Sequence, residues 1–305
     1  MSYIRKFNPV KADFKDLIAI KKQVAQMFLK ETNHKSYIGF GQTKSPFKTK
    51  GLDFQEVRVY QPGDDIRQID WKITAKYGKP FTKLYTDEKE RQVFLICDMR
   101  TRMKFASTGA FKSVICARIA SFLCYLAENK HDRLGFTVLS SSFIETAEAY
   151  TTRETLQGLL TTLESVSNPT DLNDDKISLL QALEKSDSMI RSGSLIFILS
   201  DFSDWNTQCD SIVQRWSVKN TCSFVHIYDK LETNLPKGIF PISDGKQISL
   251  LDTANHHFPT VFSNIFQKRA EQMEKTAQIY QCGYLPVRTD EQALDKAIVY
   301  SLGVR

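Results

Sequence analysis

Two aspartates in this 305-residue chain stand where ligand chemistry is done. Asp98 follows the apolar run Val93-Phe94-Leu95-Ile96-Cys97, and Asp201 follows Leu195-Ile196-Phe197-Ile198-Leu199 and Ser200. Continuous apolar runs of this kind are expected of strands covered on both faces. In an open parallel sheet the loops leaving the C-terminal ends of the strands converge, and ligands bind there. A carboxylate at such a place can ligate a cation or attack a phosphoryl group, so Asp98 opens the main candidate site.

The second constellation is Gly63-Asp64-Asp65-Ile66-Arg67-Gln68-Ile69-Asp70-Trp71. Pro62-Gly63 sets a tight turn, and the carboxylates of Asp64 and Asp65 can accept backbone N–H bonds around it. Arg58, Arg67, Asp65 and Asp70 are expected to form charge-assisted pairs covered by Trp71, either pinning this piece or serving as a docking surface. As a catalytic carboxylate dyad the motif fails, because no His, Cys or Ser nucleophile lies near it.

Other chemistries are poorly supplied. Neither G-x-x-x-x-G-K-[ST] nor G-x-G-x-x-G occurs. The five histidines show no ligand spacing. The six cysteines include no C-x-x-C, which favours reduced, buried thiols over a disulfide framework or a zinc site. A phosphatase of the haloacid-dehalogenase type needs a second aspartate two residues after Asp98, where Arg100 stands.

The elements that must position Asp98 and Asp201 can be read from periodicity. Residues 13–31 form an amphipathic helix with lysines on its outer side, which packs on its own domain or meets an anionic membrane surface or acidic partner. Residues 53–91 alternate apolar with polar and read as two or three antiparallel strands. Helices are expected over 110–129, 151–163, 177–190, 208–216, 261–280 and 291–302. A strand pair spans 132–145 around Ser140-Ser141-Ser142, strands cover 222–228 and 284–287, and a hairpin lies near 243–246. Apolar strands alternating with helices predict a doubly wound α/β sheet.

The chain is large enough to bury a substantial core. The net charge of +6 is local, since the first fifty residues hold eleven Lys or Arg against Asp13, Asp16 and Glu31. That distribution argues against a general nucleic-acid-binding body. The stretch Val114–Ala127 falls short of the ~20 residues that span a bilayer, and Met1–Lys6 lacks a signal-peptide core. The expectation is a soluble cytoplasmic protein.

The segment Tyr60–Trp71, with Ala75-Lys76 and the Asp98 loop ending in Met103, resembles the bacterial domain-of-unknown-function family 58. Weaker resemblance continues through Leu199–Phe202, Ile227–Asp229 and Leu251–Thr253. That family looks like a relative of the von Willebrand factor A domain with an added antiparallel piece. The resemblance implies three parts: a basic helix and loop (1–50), an antiparallel β subdomain (51–91), and an A-like α/β domain (92–305). In the A-domain relatives the first loop reads Asp-x-Ser-x-Ser and, with a threonine and a further aspartate, binds magnesium. Here Asp98 and Asp201 fit the aspartates, Arg100 and Arg102 stand in place of the serines, and Thr151 or Thr152 are the only suggestions for the threonine. Two guanidinium groups beside a divalent ion repel it by several kcal/mol before screening. The expectation is a metal-free, degenerate site in which one or both arginines fold over Asp98 and Asp201. A guanidinium left free would hold a partner's carboxylate directly. Family members are commonly linked with MoxR-type AAA+ ATPases, which implies a non-enzymatic adaptor in complex assembly or maturation. The alternatives are a divalent-metal-dependent binder and an Asp98-based hydrolase.

Overall fold

A computed structural model describes residues 7–34, 53–64, 66–86, 91–150, 152–170, 172–243, 248–253 and 257–290. In chain order its elements are α1 (Phe14–His34), β1 (Asp53–Val59), α2 (Trp71–Tyr77), β2 (Phe81–Thr86), β3 (Gln92–Asp98), α3 (Lys112–Lys130), β4 (Arg133–Leu139), β5 (Ile144–Tyr150), α4 (Thr152–Val166) and α5 (Leu179–Asp187). They continue with β6 (Leu195–Ser200), α6 (Thr207–Ser217), β7 (Thr221–Tyr228), α7 (Lys230–Thr233), β8 (Ile239–Ser243), β9 (Ile248–Asp252), α8 (His257–Ile279) and β10 (Gly283–Arg288). Contacts divide the chain into two units, Lys48–Glu90 and the remainder, Met1–Phe47 with Arg91–Arg305.

The larger unit is the doubly wound α/β sheet expected from the sequence. Its six strands run in the order β10-β7-β6-β3-β4-β5, parallel except for β5, which pairs antiparallel with β4. Strand order reverses between β3 and β6, and the crevice at such a reversal is where ligands of open α/β sheets bind. Asp98 ends β3 and Asp201 follows β6, so both sit beside that crevice.

Alternation along β3 builds two cores. Val93, Leu95 and Cys97 face one side with residues of α1, α3 and α4. Phe94 and Ile96 face the other with residues of α5, α6 and α8. Every residue of β3 is buried, which is why Val93–Cys97 is a continuous apolar run rather than an alternation. In α1, Leu17, Ile20 and Val24 are buried in the first core, so this face of the helix packs on its own domain. The side chains of Phe28 and Leu29 and the expected helix at 291–302 lie outside the described residues. Among the described residues no helix is long and apolar enough to cross a membrane.

In the smaller unit β1 and β2 pair antiparallel, with Val59 opposite Phe81. The expected extra strand through Ile69, Trp71 and Ile73 is instead a short 3-10 turn and the helix α2. Ile69 and Ile73 are four residues apart, so their spacing suits a helical face as well as a strand. Capping decides between the two. Asp70 accepts from the N–H groups of Lys72 and Ile73 at 3.0 and 3.1 Å, and Gly78, at φ +68°, closes the helix on the Thr74 carbonyl.

Candidate functional site at the sheet crevice

The Asp98 loop turns back on itself. Arg100 is fully buried at 0% exposure. Its Nε and Nη2 donate to the two oxygens of Asp98 at 2.9 and 2.7 Å. Nη1 and Nη2 donate to Asp204 at 2.6 and 2.9 Å, and Nη1 also reaches the Ile177 carbonyl at 3.1 Å. A guanidinium has five N–H donors in a fixed planar fork. All five are used, and the cation is clamped between two carboxylates. Burial alone would lower the arginine pKa, but the bonds to Asp204 and Asp98 outweigh it and hold the group far above its ordinary value.

Asp98 is saturated in turn. Besides the two guanidinium bonds it accepts from the Arg100 N–H at 3.2 Å and from Ser200 Oγ at 2.7 Å. A carboxylate offers roughly four lone-pair sites, and these four donors fill them.

Asp201 is not a partner of either arginine, contrary to expectation. Lys112, in the first turn of α3 and 3% exposed, donates to Asp201 Oδ2 at 3.0 Å and to Glu232 Oε1 at 3.3 Å. Ser203 N–H completes Asp201 at 3.0 Å. Burial would raise the Asp201 pKa, but the Lys112 charge and hydrogen bond hold it well below the carboxylate range. The turn that aims Asp201 and Asp204 in different directions passes through Phe202, at a left-handed φ of +53°. Such a conformation costs a non-glycine residue about 1–2 kcal/mol. Edge-to-face packing of the buried Phe202 ring on Trp205 and Phe224 offsets it.

Arg102 is also engaged rather than free. Its Nε donates to Asp175 at 2.8 Å and its Nη1 to Ser203 Oγ at 2.7 Å, yet 31% of its side chain reaches solvent. Asp175 further accepts from Thr101 N–H and Ser141 Oγ at 2.9 and 2.8 Å. These bonds join the loop after β3 to the β4–β5 turn, the segment before α5 and the loop after β6.

The residues do not fit the magnesium site that the resemblance implies. Both oxygens of Asp98 already face a cation that is part of the chain, and Asp201 has its own in Lys112. The expected threonine is not placed, since Thr151 and the side chain of Thr152 lie outside the described residues. Among the described residues no three His, Cys, Asp or Glu side chains gather as a metal cage. Nor is Asp98, at 0% exposure, presented to a substrate as a nucleophile.

In the other constellation, Asp64 accepts from Arg58 Nη2 at 2.6 Å and from Gln61 N–H at 2.9 Å, pinning the turn through Gly63, whose φ is +110°. Asp70 is a helix cap, Arg67 is exposed, and Asp65 lies outside the described residues. Trp71 is 66% exposed, so most of its surface faces solvent. Sequence reasoning also passed over Lys112, Asp175, Asp204 and Glu232. Lys112 carried a legible signal: it sits three and seven residues before Ile115 and Ile119, on the buried side of α3.

Residues 56–274 match a family described as "Protein of unknown function DUF58". The chain belongs to this family. Two relatives are uncharacterized proteins of Mycobacterium bovis and Mycobacterium tuberculosis, each 25% identical over 190 residues. That match covers 61% of this chain and 58% of each relative, so the chain spans only part of their length. A crystal structure of the conserved hypothetical protein BatB from Bacteroides thetaiotaomicron overlaps 70% of this DUF58 chain and 97% of its own, with 13% identity and a TM-score of 0.44.

Proposed function

We propose that this DUF58 chain is a non-enzymatic adaptor that recognises a protein partner at the sheet crevice, without a metal ion. The partner class is a MoxR-type AAA+ ATPase, brought in by the family resemblance, and the role is complex assembly or maturation in the cytoplasm. One observation carries the reading: Arg100 occupies the centre of the crevice with all five donors bound, so the place where chemistry would occur is filled by the chain's own cation. A saturated, buried charge network cannot turn over substrate without first being dismantled, but it can hold several loops as one rigid recognition surface. The half-open Arg102, flanked by Asp175, Ser203 and Asp204, is the polar face such a surface would offer.

The test is binding of a purified MoxR-type ATPase to the wild type and to Arg102→Glu, by interferometry. The reading expects measurable binding that weakens at least about tenfold in the variant, which corresponds to about 1.4 kcal/mol. Undetectable binding, or equal binding by both proteins, contradicts it.

A further inference from the structure

Cys222 is the second residue of β7, and Cys282 immediately precedes β10. The two strands run parallel with Ser223 opposite Gly283. Cys222 and Cys282 are therefore neighbours one register step earlier. Both side chains pack on the same face of the sheet, Cys222 inside the apolar cluster with α6 and α8 and Cys282 at its margin. Paired strands lie about 4.8 Å apart, within the roughly 4.4–6.8 Å between Cα atoms that a disulfide bridges. The Cys282 thiol also lies 3.6 Å from the Tyr280 carbonyl, to which it donates.

The members of the pair differ in a way that matters. Cys222 is buried, whereas Cys282 is partly open to solvent. The contact with Cys222 holds the Cys282 thiol below its ordinary pKa, while the same contact and burial push Cys222 up. An accessible thiol with enhanced thiolate character beside a buried second thiol is the arrangement in which oxidation is site-selective. Elsewhere, burial pushes the Cys116, Cys124 and Cys209 thiols up.

We propose that Cys282 and Cys222 form a hydroperoxide-reactive pair that closes to a disulfide. The Cys282 sulfur attacks one peroxide oxygen, the O–O bond breaks, and the departing hydroxide takes the Cys282 thiol proton to become water. Cys282 is left as a sulfenic acid. The Cys222 sulfur then attacks the Cys282 sulfur, the S–O bond breaks, and the released hydroxide takes the Cys222 proton as a second water. Two thiols are oxidised and one peroxide is reduced. The bond staples the edge strand β10 to β7 at the end of the sheet opposite the crevice. At the crevice end, Thr289 already ties β10 to Tyr228 and Asp229. This site is independent of the adaptor reading.

The experiment treats the full chain with hydrogen peroxide, blocks free thiols, and maps peptides without reductant. The expected result is a linked pair of peptides carrying Cys222 and Cys282 that separates on reduction. In Cys222→Ser, Cys282 should accumulate as a sulfenic acid trapped by dimedone. In Cys282→Ser, and in Cys282→Ala as a second check on folding, Cys222 should stay unmodified over the same period. Wild-type protein in which both thiols remain free, Cys222 joined to another cysteine, or Cys222 oxidised equally fast without Cys282 would each overturn the proposal.

Discussion

Arg100 and Asp98, separated by one residue, face each other through hydrogen bonds of 2.9 and 2.7 Å, with both side chains wholly withdrawn from solvent. The pair closes the loop onto its own strand end, and Asp204 completes the clamp from the loop after β6. Desolvating these charges is costly, and the geometry recovers the cost only while every partner is present.

Removing the guanidinium strands two carboxylates. Arg100→Met is expected to lower stability by about 3–5 kcal/mol, the usual cost of breaking a buried pair from one side. Urea denaturation measures it. Adding Asp98→Asn and Asp204→Asn to Arg100→Met should restore part of the loss. A loss below about 1 kcal/mol for Arg100→Met would mean that the network does not hold the crevice together.

Lys112 and Asp201 are expected to be coupled in the same way. In a double-mutant cycle with Lys112→Met and Asp201→Asn, the interaction energy should exceed about 1 kcal/mol. Asp201 has a depressed folded-state pKa, so its contribution is present above the unfolded value of about 3.9 and is lost as pH falls through the folded value. Additive single effects would show that Lys112 merely occupies space.

His226 supplies a pH signature at milder acidity. It is fully buried, its Nδ1 meets Tyr284 Oη at 2.8 Å, and burial lowers its pKa to about 3. Asp201 opposes that shift, while Arg269 and Lys112 reinforce it. Between the unfolded value of about 6.5 and the folded value, the unfolded chain binds a proton that the folded chain refuses. Stability therefore falls as pH drops through this window, by up to about 1.4 kcal/mol per pH unit. His226→Phe should remove that part of the slope between pH 6 and pH 5. Equal slopes in both proteins would contradict the assignment.

Much of this was legible in the sequence, for reasons that also mark where legibility ended. The runs at Val93–Cys97 and Leu195–Leu199 could only be strands buried on both faces, and the aspartates after them could only lie at their C-terminal ends. An arginine folding over Asp98 followed from two guanidinium groups within four residues of it. Which cation meets Asp201 did not follow, because α3 brings Lys112 there from the far side of the loop. Nor did the engagement of Arg102 by Asp175 follow, because Asp175 comes from a polar segment with no periodicity to place it. The misread α2 has a local cause, since a seven-residue helix fixed by one cap at each end leaves little periodic trace.

That cap makes a further test. Asp70→Ala should cost the smaller unit about 1 kcal/mol, and amide exchange at Lys72 and Ile73 should accelerate most. Unchanged exchange at both amides would show that Asp70 is not what starts the helix.

The most direct measurement is thermal unfolding of the wild type against rising Mg²⁺ or Mn²⁺, beside the Arg100→Ser/Arg102→Ser variant. A crevice filled by its own guanidinium predicts a flat wild-type response and a metal-dependent gain in stability only in the variant, where oxygens replace the cations. A saturable rise in the wild type, abolished by Asp98→Ala, would contradict it.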